Sequence, residues 1–211
     1  RRDERLFGKH FMPGCDVVCS EDEVEPVFES FIQMHQTQWK AAGQQGHFKD
    51  WPKAKDFHRE LVTTQVQAGR VAIFRLKGND SVLAQQYCFQ FGRNVYWRLP
   101  ARVVGEQWDR FGLGRLGLVE LIRDSIQRGM KNIEAGPSHY YYKLQMGGQE
   151  YSLLSLLIVS GQKASHRRVR WLVRWADWLH LFYYRILFCR VAPRVDFLQG
   201  PLWSGWLRTR I

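Results

Sequence analysis

The chain has 211 residues, of which 45% are hydrophobic and 24% charged. This balance supports one packed domain with a short appendage and excludes a disordered chain. The formal net charge is +11 at pH 7, which favours a polyanionic partner such as nucleic acid, anionic lipid or a phosphorylated cofactor. A solvated basic surface without a specific partner is the alternative interpretation.

The cysteines bear on the cellular compartment. Cys15, Cys19, Cys88 and Cys189 form neither a CxxC pair nor a zinc-type set with histidine, so we expect no metal and reduced thiols, as in the cytoplasm. The longest apolar stretch, residues 171–191, is interrupted by charged side chains and falls short of a transmembrane helix. The chain begins without a methionine, and we expect more protein to precede it.

In chain order, the first predicted elements are a strand and two helices. The strand runs from Cys15 to Cys19, a first helix from Val24 to Ala41, and a second from Asp50 to Gly69. Helical spacing predicts that each helix has an inward face. These faces are Val24, Val27, Phe28, Phe31, His35 and Trp39 in the first helix, and Phe57, Leu61 and Ala68 in the second.

Three strands follow, and the short turns between them predict an antiparallel meander. The strands are Val71–Lys77, Val82–Phe91 and Val95–Val103, and Pro100 suggests a bulge or a strand end. A third helix is then predicted from Gly112 to Gly129. Its inward side chains would be Leu118, Val119, Ile122 and Ile126.

The last predicted elements of the domain are two strands separated by a tyrosine-rich loop. They are a strand at Asn132–Ala135, the loop at Gly136–Gly148 and an apolar strand at Tyr151–Val159. The order of elements predicts an α/β (α+β) fold, with a mixed, mostly antiparallel sheet and helices on its faces. Residues 1–160 would form this domain, and residues 161–211 a basic, Trp-rich tail.

A glycine-rich turn at the start of the third helix is a candidate anion site. Glycines allow backbone N–H groups to approach an anion, and the helix N-terminus adds positive charge. Flanking arginines can complete a clamp on a diphosphate. The alternative is an ordinary strand-to-helix turn, and neither a Walker loop nor a Rossmann fingerprint fits. The residues are Arg110, Phe111, Gly112, Leu113, Gly114 and Arg115.

Titratable groups that suit acyl transfer follow this helix. Transfer to an amine needs a base, a donor to the tetrahedral oxyanion and an acid for the leaving thiolate. Glu134 or His139 could be the base, Lys143 the oxyanion donor, and one of the tyrosines at 140–142 the acid. The alternatives are a structural ion pair for Glu134 and simple packing for the tyrosines.

The tail predicts an amphipathic helix. Arg167, Arg170, Arg174 and Arg185 fall on one helical face, interrupted by Asp177 and Leu181, and aromatic side chains populate the rest. A basic, Trp-rich helix of this kind suits an anionic membrane surface, here through residues 165–190. The alternative is a helix that packs on a partner domain.

An ordered series of motifs over residues 25–160 resembles the GNAT acetyltransferases grouped with the cellulose-biosynthesis CelD proteins, which are similar to the FemABX peptidyltransferases. The motifs are His35, Trp39, Gly43, Gly46, Phe48, Phe57-His58, Leu61, Gly112–Leu116, Arg128-Gly129, Ile133-Glu134, Tyr142-Lys143 and Gly147.

The resemblance implies a GNAT fold and an acyltransferase of the cytoplasm or the inner-membrane surface. It implies that an acyl group, in the first instance acetyl, passes from acyl-CoA to an amine or hydroxyl of a small molecule or glycan, in exopolysaccharide or envelope biosynthesis. Gly112–Gly114 match the pyrophosphate-binding turn, and Tyr142-Lys143 match an aromatic–lysine pair at the reaction centre, where the lysine assists the carbonyl.

The sequence also departs from the pattern of the family. The glycine turn is one residue shorter than the usual motif, and the stretch from Gly136 to Lys143 is longer. A related N-terminal half, which family chains carry, is expected to be missing together with part of the acceptor site. Two alternatives stay open: a FemABX-like transferase that uses aminoacyl-tRNA, and a non-catalytic module that binds membrane or nucleic acid.

Overall fold

The computed structural model describes residues 2–44, 46–49, 53–136, 139–154, 156, 158–159, 161, 163–191 and 194–195. The chain divides into two units. One consists of Arg1–Ala42 and Lys55–Gly148, and the other of Gly43–Ala54 and Gln149–Ile211. The first unit holds the sheet and the second holds the C-terminal helix. The boundary predicted at residue 160 stays a prediction.

The first unit is built on a five-stranded sheet whose strand order follows the chain. The strands are β1 (Pro13–Val18), β2 (Val71–Gly78), β3 (Ser81–Phe91), β4 (Asn94–Arg102) and β5 (Asn132–Glu134). Strands β1 to β4 pair antiparallel in sequence order, and β5 joins β4 in parallel. The tight turns that separate β2, β3 and β4 form the predicted meander. This mixed, mostly antiparallel sheet confirms the predicted fold class.

Helices cover both faces of this sheet. Cys88 of β3 packs in one apolar cluster with Leu118 and Leu121, whereas the ring of its neighbour Tyr87 contacts Phe28 and Phe31. Because successive side chains of a strand point to opposite faces, helices α5 (Leu113–Gln127) and α2 (Glu21–Ala41) lie on opposite sides of the sheet. The helices of the unit are α1 (Arg2–His10), α2 (Glu21–Ala41), α3 (Ala54–Val66), α4 (Glu106–Asp109), α5 (Leu113–Gln127) and α6 (Tyr141–Gln145).

The core on the α2 face is aromatic and contains two buried histidines. The ring of Tyr87, fully buried, lies 5.1 Å from that of Phe28 and 6.0 Å from that of His58. His35 Nδ1 donates a hydrogen bond of 3.0 Å to the carbonyl of Pro100, and the amide of Arg102 donates one of 2.9 Å to Gln38 Oε1. These two bonds fix α2 to the last residues of β4.

The predicted inward face of the first helix is confirmed, but those of the other two are partly wrong. In α3, Phe57 is exposed and the buried side chains are His58, Val62 and Val66, whereas Ala68 lies beyond the end of the helix and is exposed. In α5, Ile126 is exposed and Ser125 is buried. Phe57 is more hydrophobic than its neighbour His58, and Ile126 is more hydrophobic than Ser125, so hydrophobicity alone predicts the wrong member of each pair. The sheet surface on which each helix packs determines which member is buried.

Two predictions for the end of the domain are also wrong. The described residues of the predicted strand 151–159 form no strand, and their leucines are exposed, Leu154 to 92%. An apolar run favours burial, but a strand also needs a pairing edge, which composition does not specify. The predicted loop 136–148 contains the short helix α6.

Helix α1 was not predicted at all, although it completes the core on the α5 face. Phe7 is buried in a cluster with Leu76, Leu83 and Phe111, and the rings of Phe7 and Phe11 both lie against that of Phe111. The segment Arg2–His10 is highly charged, and Leu6 and Phe7 are its only strongly apolar side chains, so composition does not mark it as part of the core. The helix is therefore held by tertiary packing rather than by propensity.

In the second unit, an amphipathic helix confirms the one predicted for the C-terminal part of the chain. Helix α7 (Lys163–His180) continues directly into a π-helical segment, Leu181–Val191. No helix in the described part of the chain combines the length and the apolar character needed to cross a membrane.

Candidate active site

The parallel strands β4 and β5 pair over three residues and then diverge. Their register ends at Tyr96 and Glu134, whereas β4 continues to Arg102. A bulge bends β4 at the same level, because Cys88 faces Trp97 and Tyr87 faces Leu99, which leaves Arg98 as the extra residue. Ligands of α/β proteins bind outside the carboxyl ends of parallel strands, so the region beyond this pairing, here named the crevice, is the candidate site.

Lys143 lies at this point of divergence. Its ammonium donates a hydrogen bond of 2.5 Å to the carbonyl of Ala135, the first residue after β5. The same nitrogen lies 5.8 Å from the ring centroid of Trp97, the first residue of β4 beyond the paired stretch. It also lies 4.8 Å from the ring centroid of Tyr140. One cation is thus positioned by both diverging strands.

Trp97 is held in place by Gln86 of β3, whose side chain lies directly under helix α5. Its indole Nε1 donates a hydrogen bond of 2.8 Å to Gln86 Oε1 in the core. A Cβ added at Gly117 of α5 would overlap Gln86 Nε2. Glycine at this position therefore lets the Gln86 amide lie under the helix and support the ring beneath Lys143.

Burial lowers the pKa of Lys143, and the negative charge of Glu134 partly opposes this effect. Partial desolvation also strengthens the field of the ammonium on any group within the crevice. A lysine that is half-buried, held by one carbonyl and backed by two aromatic rings can donate a hydrogen bond to a second oxygen. This is the role predicted for Lys143.

Tyr142 occupies the core side of the same short helix. It packs against the apolar cluster that includes Val95, Trp97 and Leu118, and its ring lies 5.7 Å from that of Tyr140. Burial raises the pKa of Tyr142, and Tyr140 adds to the shift. The Tyr142 hydroxyl is therefore protonated at neutral pH, as an acid for the leaving group would have to be.

The two candidate bases are placed differently. Glu134 ends β5 opposite Tyr96 and is close enough to influence Lys143 electrostatically. His139 is exposed and lies on the approach to α6. The structure brings Glu134, Tyr142 and Lys143 together, but the choice of base between Glu134 and His139 stays a prediction.

The predicted anion turn opens α5. Gly112 adopts a left-handed conformation with φ of 62°, which glycine tolerates without strain. Arg115 and Leu116 make the first amide bonds back to Gly112, so the amides of Leu113 and Gly114 precede the intrahelical ladder. The side chains of Phe111 and Leu113 are buried. A ligand at this turn would therefore meet backbone N–H groups rather than those side chains.

In the structure, a carboxylate from α1 lies at this turn. Asp3 Oδ2 pairs with the guanidinium of Arg115 at 2.6 Å and lies 2.5 Å from where a Cβ at Gly112 would be. Arg110 is directed elsewhere, with its guanidinium carbon 4.7 Å from the ring centroid of Phe111. A carboxylate of the chain itself thus lies beside the turn, and binding of a donor diphosphate there stays a prediction. The role of Arg110 as a ligand stays a prediction.

A family comparison decides the class of protein. The model of the acetyltransferase (GNAT) domain family matches residues 1–144. The chain belongs to the GNAT acetyltransferase family. The GNAT domain therefore contains the sheet, the diverging strands and Lys143, and the enzymatic interpretation replaces the non-catalytic one. A comparison with curated protein sequences found none that matches.

Solved acetyltransferase structures are similar to this chain at low identity. A predicted acetyltransferase from Clostridium acetobutylicum, solved with acetyl-CoA, is 11% identical with a TM-score of 0.47, over 70% of this chain and 96% of that chain. An aminoglycoside acetyltransferase from an uncultured soil metagenomic sample, in complex with sisomicin, is 11% identical with a TM-score of 0.44, over 70% and 97%. An aminoglycoside N-acetyltransferase in complex with CoA is 11% identical with a TM-score of 0.43, over 72% and 97%.

Sequence reasoning missed the residues that position the predicted ones. Trp97, the carbonyl of Ala135 and Asp3 carry no motif, and only the fold brings them to Lys143 and to Arg115. The bulge at Arg98 had one signal, the proline two residues later, although its position was predicted differently. Within the described residues, no group of three or more His, Cys, Asp or Glu could hold a metal ion.

Proposed function

We propose that this GNAT domain transfers an acyl group, in the first instance acetyl, from acyl-CoA to an amine or hydroxyl acceptor. The thioester carbonyl would lie where β4 and β5 diverge, beside Lys143. The observation that carries the proposal is the position of the Lys143 ammonium, between Trp97 of β4 and the carbonyl that follows β5. Crevices of this type, with a few convergent polar groups, are the usual place for a ligand.

The reaction needs one bond to form and one to break. The acceptor nitrogen or oxygen attacks the thioester carbon, and Lys143 donates a hydrogen bond to the developing oxyanion. Glu134 or His139 takes the acceptor proton. The intermediate then collapses with cleavage of the C–S bond, and a tyrosine hydroxyl, with Tyr142 the best-placed candidate, donates its proton to the CoA thiolate. The tyrosinate regains a proton from the protonated base by way of solvent, which restores both groups.

The diphosphate of the donor would bind at the start of α5. The amides of Leu113 and Gly114, the helix dipole and Arg115 form a suitable set of donors. In this proposal the diphosphate displaces Asp3 from Arg115, since a dianion and a carboxylate would not share one guanidinium. The cost is modest, because Arg115 is exposed although Asp3 is half-buried, and ion pairs open to solvent contribute roughly 0–1 kcal/mol.

The acceptor is proposed from the family resemblance. An amino or hydroxyl group on a sugar or an envelope precursor fits the CelD-like and FemABX-like series of motifs, and a second GNAT-like half would complete the acceptor site. An envelope precursor would place the enzyme at the cytoplasmic face of the inner membrane. The acceptor and its location are thus proposed from the series of motifs quoted above.

A donor assay with paired glycine variants tests this function. The purified chain is mixed with acetyl-CoA and a panel of amino sugars, and release of the free CoA thiol is followed. A Cβ at Gly114 meets only Arg102 Cδ, at 3.8 Å, so Gly114→Ala should fold and turn over normally. Gly114→Trp should fold but block the diphosphate, and we expect loss of saturable acetyl-CoA binding. Equal donor binding by both variants would refute the proposed position of the donor.

A second donor, aminoacyl-tRNA, is favoured by one observation, the net charge of +11. Binding of tRNA to a basic surface releases counterions, so its affinity falls steeply with salt. If the chain binds tRNA in this manner and shows no saturable binding of acetyl-CoA, the donor in the proposal must be replaced.

A further inference from the structure

An exposed aromatic row runs along the C-terminal helix. Trp171, Trp175, Trp178 and Phe182, here named the Trp stripe, are spaced by four, three and four residues. Their successive ring centroids are 5.5, 5.6 and 5.8 Å apart, so the rings form one continuous row. The four side chains are 60%, 45%, 55% and 44% exposed. Isolated exposed aromatics are ordinary, but a contiguous row of this kind marks an interaction surface.

The Trp stripe occupies the most exposed face of helix α7. The less exposed positions of the helix, Val169, Val173, Ala176 and His180, recur at helical spacing. They are centred about half a turn away from the stripe. Aliphatic side chains extend the exposed apolar surface: Leu172, Leu179, Leu181 and Ile186 are all exposed.

Positive charge borders the Trp stripe. Arg167, Arg168 and Arg174 are exposed and lie three or four positions from a tryptophan, which makes them its neighbours on the helix surface. Residues 163–191 contain seven lysines and arginines and a single acidic residue, Asp177. The surface therefore combines an apolar strip with a strongly positive border.

We propose that α7 and the π-helical segment lie in the interface of an anionic lipid bilayer, with the Trp stripe inserted and the arginines at the phosphate level. Tryptophan suits this depth because its ring is apolar and its indole N–H can reach the headgroups. Arginine can extend its apolar stem along the hydrocarbon and keep its charge at the phosphates. A basic amphipathic helix of this composition binds in the plane of the surface.

A lipid surface fits this pattern better than a nucleic acid does. Bases would stack on the tryptophans and phosphates would pair with the arginines, but the exposed leucines and Ile186 would gain nothing from stacking. The acyl region of a bilayer accommodates aromatic and aliphatic side chains alike. Charge complementarity favours an anionic lipid over a neutral one.

Vesicle flotation tests the proposal. The full chain is mixed with phosphatidylcholine vesicles that contain about a quarter phosphatidylglycerol, or none. We expect binding to the anionic vesicles only, weakened at high salt. The triple variant Arg167→Gln, Arg168→Gln, Arg174→Gln should bind roughly 100-fold more weakly. Trp175→Ser with Trp178→Ser should lose about tenfold for each tryptophan.

Matched controls separate this surface from general stickiness. Lys9→Gln, Lys40→Gln, Lys131→Gln removes the same charge from exposed positions elsewhere, and Met12→Ser with Ile126→Ser removes two exposed apolar side chains. Both control proteins should bind vesicles normally, as should Lys143→Ala, since lipid binding does not depend on the chemistry.

Three outcomes would overturn the proposal. One is equal binding to neutral and anionic vesicles, and another is no binding at all. The third is that the Trp175→Ser, Trp178→Ser protein loses a dimer, or the binding of single-stranded RNA, that the unaltered chain shows without lipid. The surface would then serve a second copy of the chain or a nucleic acid.

Discussion

At the scale of single residues, the account depends on a lysine whose surroundings are supplied by distant parts of the chain. The pair Tyr142-Lys143 could be selected from the sequence because an aromatic residue beside a lysine in this position matches a known motif. Its partners could not, because Trp97 and Ala135 approach the ammonium only after β4 and β5 have paired. A sequence motif can identify a reactive group, whereas the residues that surround this group are determined by the tertiary structure.

Removal of the Lys143 ammonium should affect the chemical step. We expect Lys143→Ala to lower kcat by about 100-fold or more with little change in the KM for acyl-CoA, because an oxyanion donor acts in the transition state. Lys131→Ala, at an exposed lysine just before β5, should leave both constants unchanged. Steady-state kinetics of the two folded proteins decide this, and an unchanged kcat in Lys143→Ala would remove the lysine from the mechanism.

Asp3 should act as an internal competitor of the donor. Because its carboxylate occupies Arg115 at the start of α5, Asp3→Asn should lower the KM for acyl-CoA by about fivefold, the equivalent of roughly 1 kcal/mol. Glu4→Gln is a suitable control, since Glu4 lies on the same helix but pairs with Arg123. A KM that rises in Asp3→Asn, or that responds equally to both changes, would show that the carboxylate is not in competition with the donor.

At the scale of secondary-structure elements, locally encoded features were predictable and packing directions were not. The meander β2–β3–β4 follows from glycine-containing and polar turns between β-rich runs. The rotation of α3 does not follow, because Phe57 and His58 are adjacent and the more polar one is buried. The sheet beneath a helix, with Tyr87 against His58, decides such choices, and no periodicity within the helix contains that information.

The close approach of α5 to β3 depends on the absence of one side chain. Gly117→Ala should destabilise the fold by about 1–3 kcal/mol, because the new Cβ would displace the Gln86 amide that holds Trp97. Gly8→Ala in α1 is the matched control. No atom lies within 4 Å of its added Cβ, so better helix propensity should raise stability by up to about 1 kcal/mol. Denaturant unfolding of both proteins measures this, and two changes of the same sign would contradict the packing argument.

At the scale of the whole molecule, two buried histidines couple folding to pH. Burial is the main cause that lowers the pKa of His35 and of His58, each to about 4. Arg98 lowers both further, and the hydrogen bond to Pro100 partly opposes the shift in His35. In the unfolded chain both titrate near about 6.5. Between these values the unfolded chain binds protons that the folded chain does not, so stability falls as the pH falls.

The melting temperature should therefore drop by on the order of 10 °C between pH 7.5 and pH 5. The loss should begin near pH 6.5, where the unfolded histidines start to gain protons. His58→Phe removes one of the two groups and keeps an aromatic ring against Tyr87, so its drop over the same interval should be about half as large. Calorimetric scans at several pH values test this, and a melting temperature that is flat from pH 7.5 to 5 would contradict the burial of neutral histidines.

The overall architecture could be predicted from the sequence further than the detail of its site. The order of elements led to a mixed sheet with helices on both faces, and the family match to residues 1–144 agrees. The contact of α1 with α5 could not be predicted, since Asp3 and Arg115 are far apart in the chain and no local pattern pairs them. Because of this contact, the turn that is predicted to bind a phosphate already has a carboxylate beside it.

A crystal structure with an unreactive acyl-CoA analogue locates the donor diphosphate and the acyl carbonyl in one measurement. We expect the diphosphate within about 3 Å of the amides of Leu113 and Gly114, with Asp3 moved away from Arg115. The acyl carbonyl should lie within hydrogen-bond reach of Lys143 Nζ at the divergence of β4 and β5. A diphosphate bound elsewhere, or an acyl carbon remote from Lys143, would contradict the account.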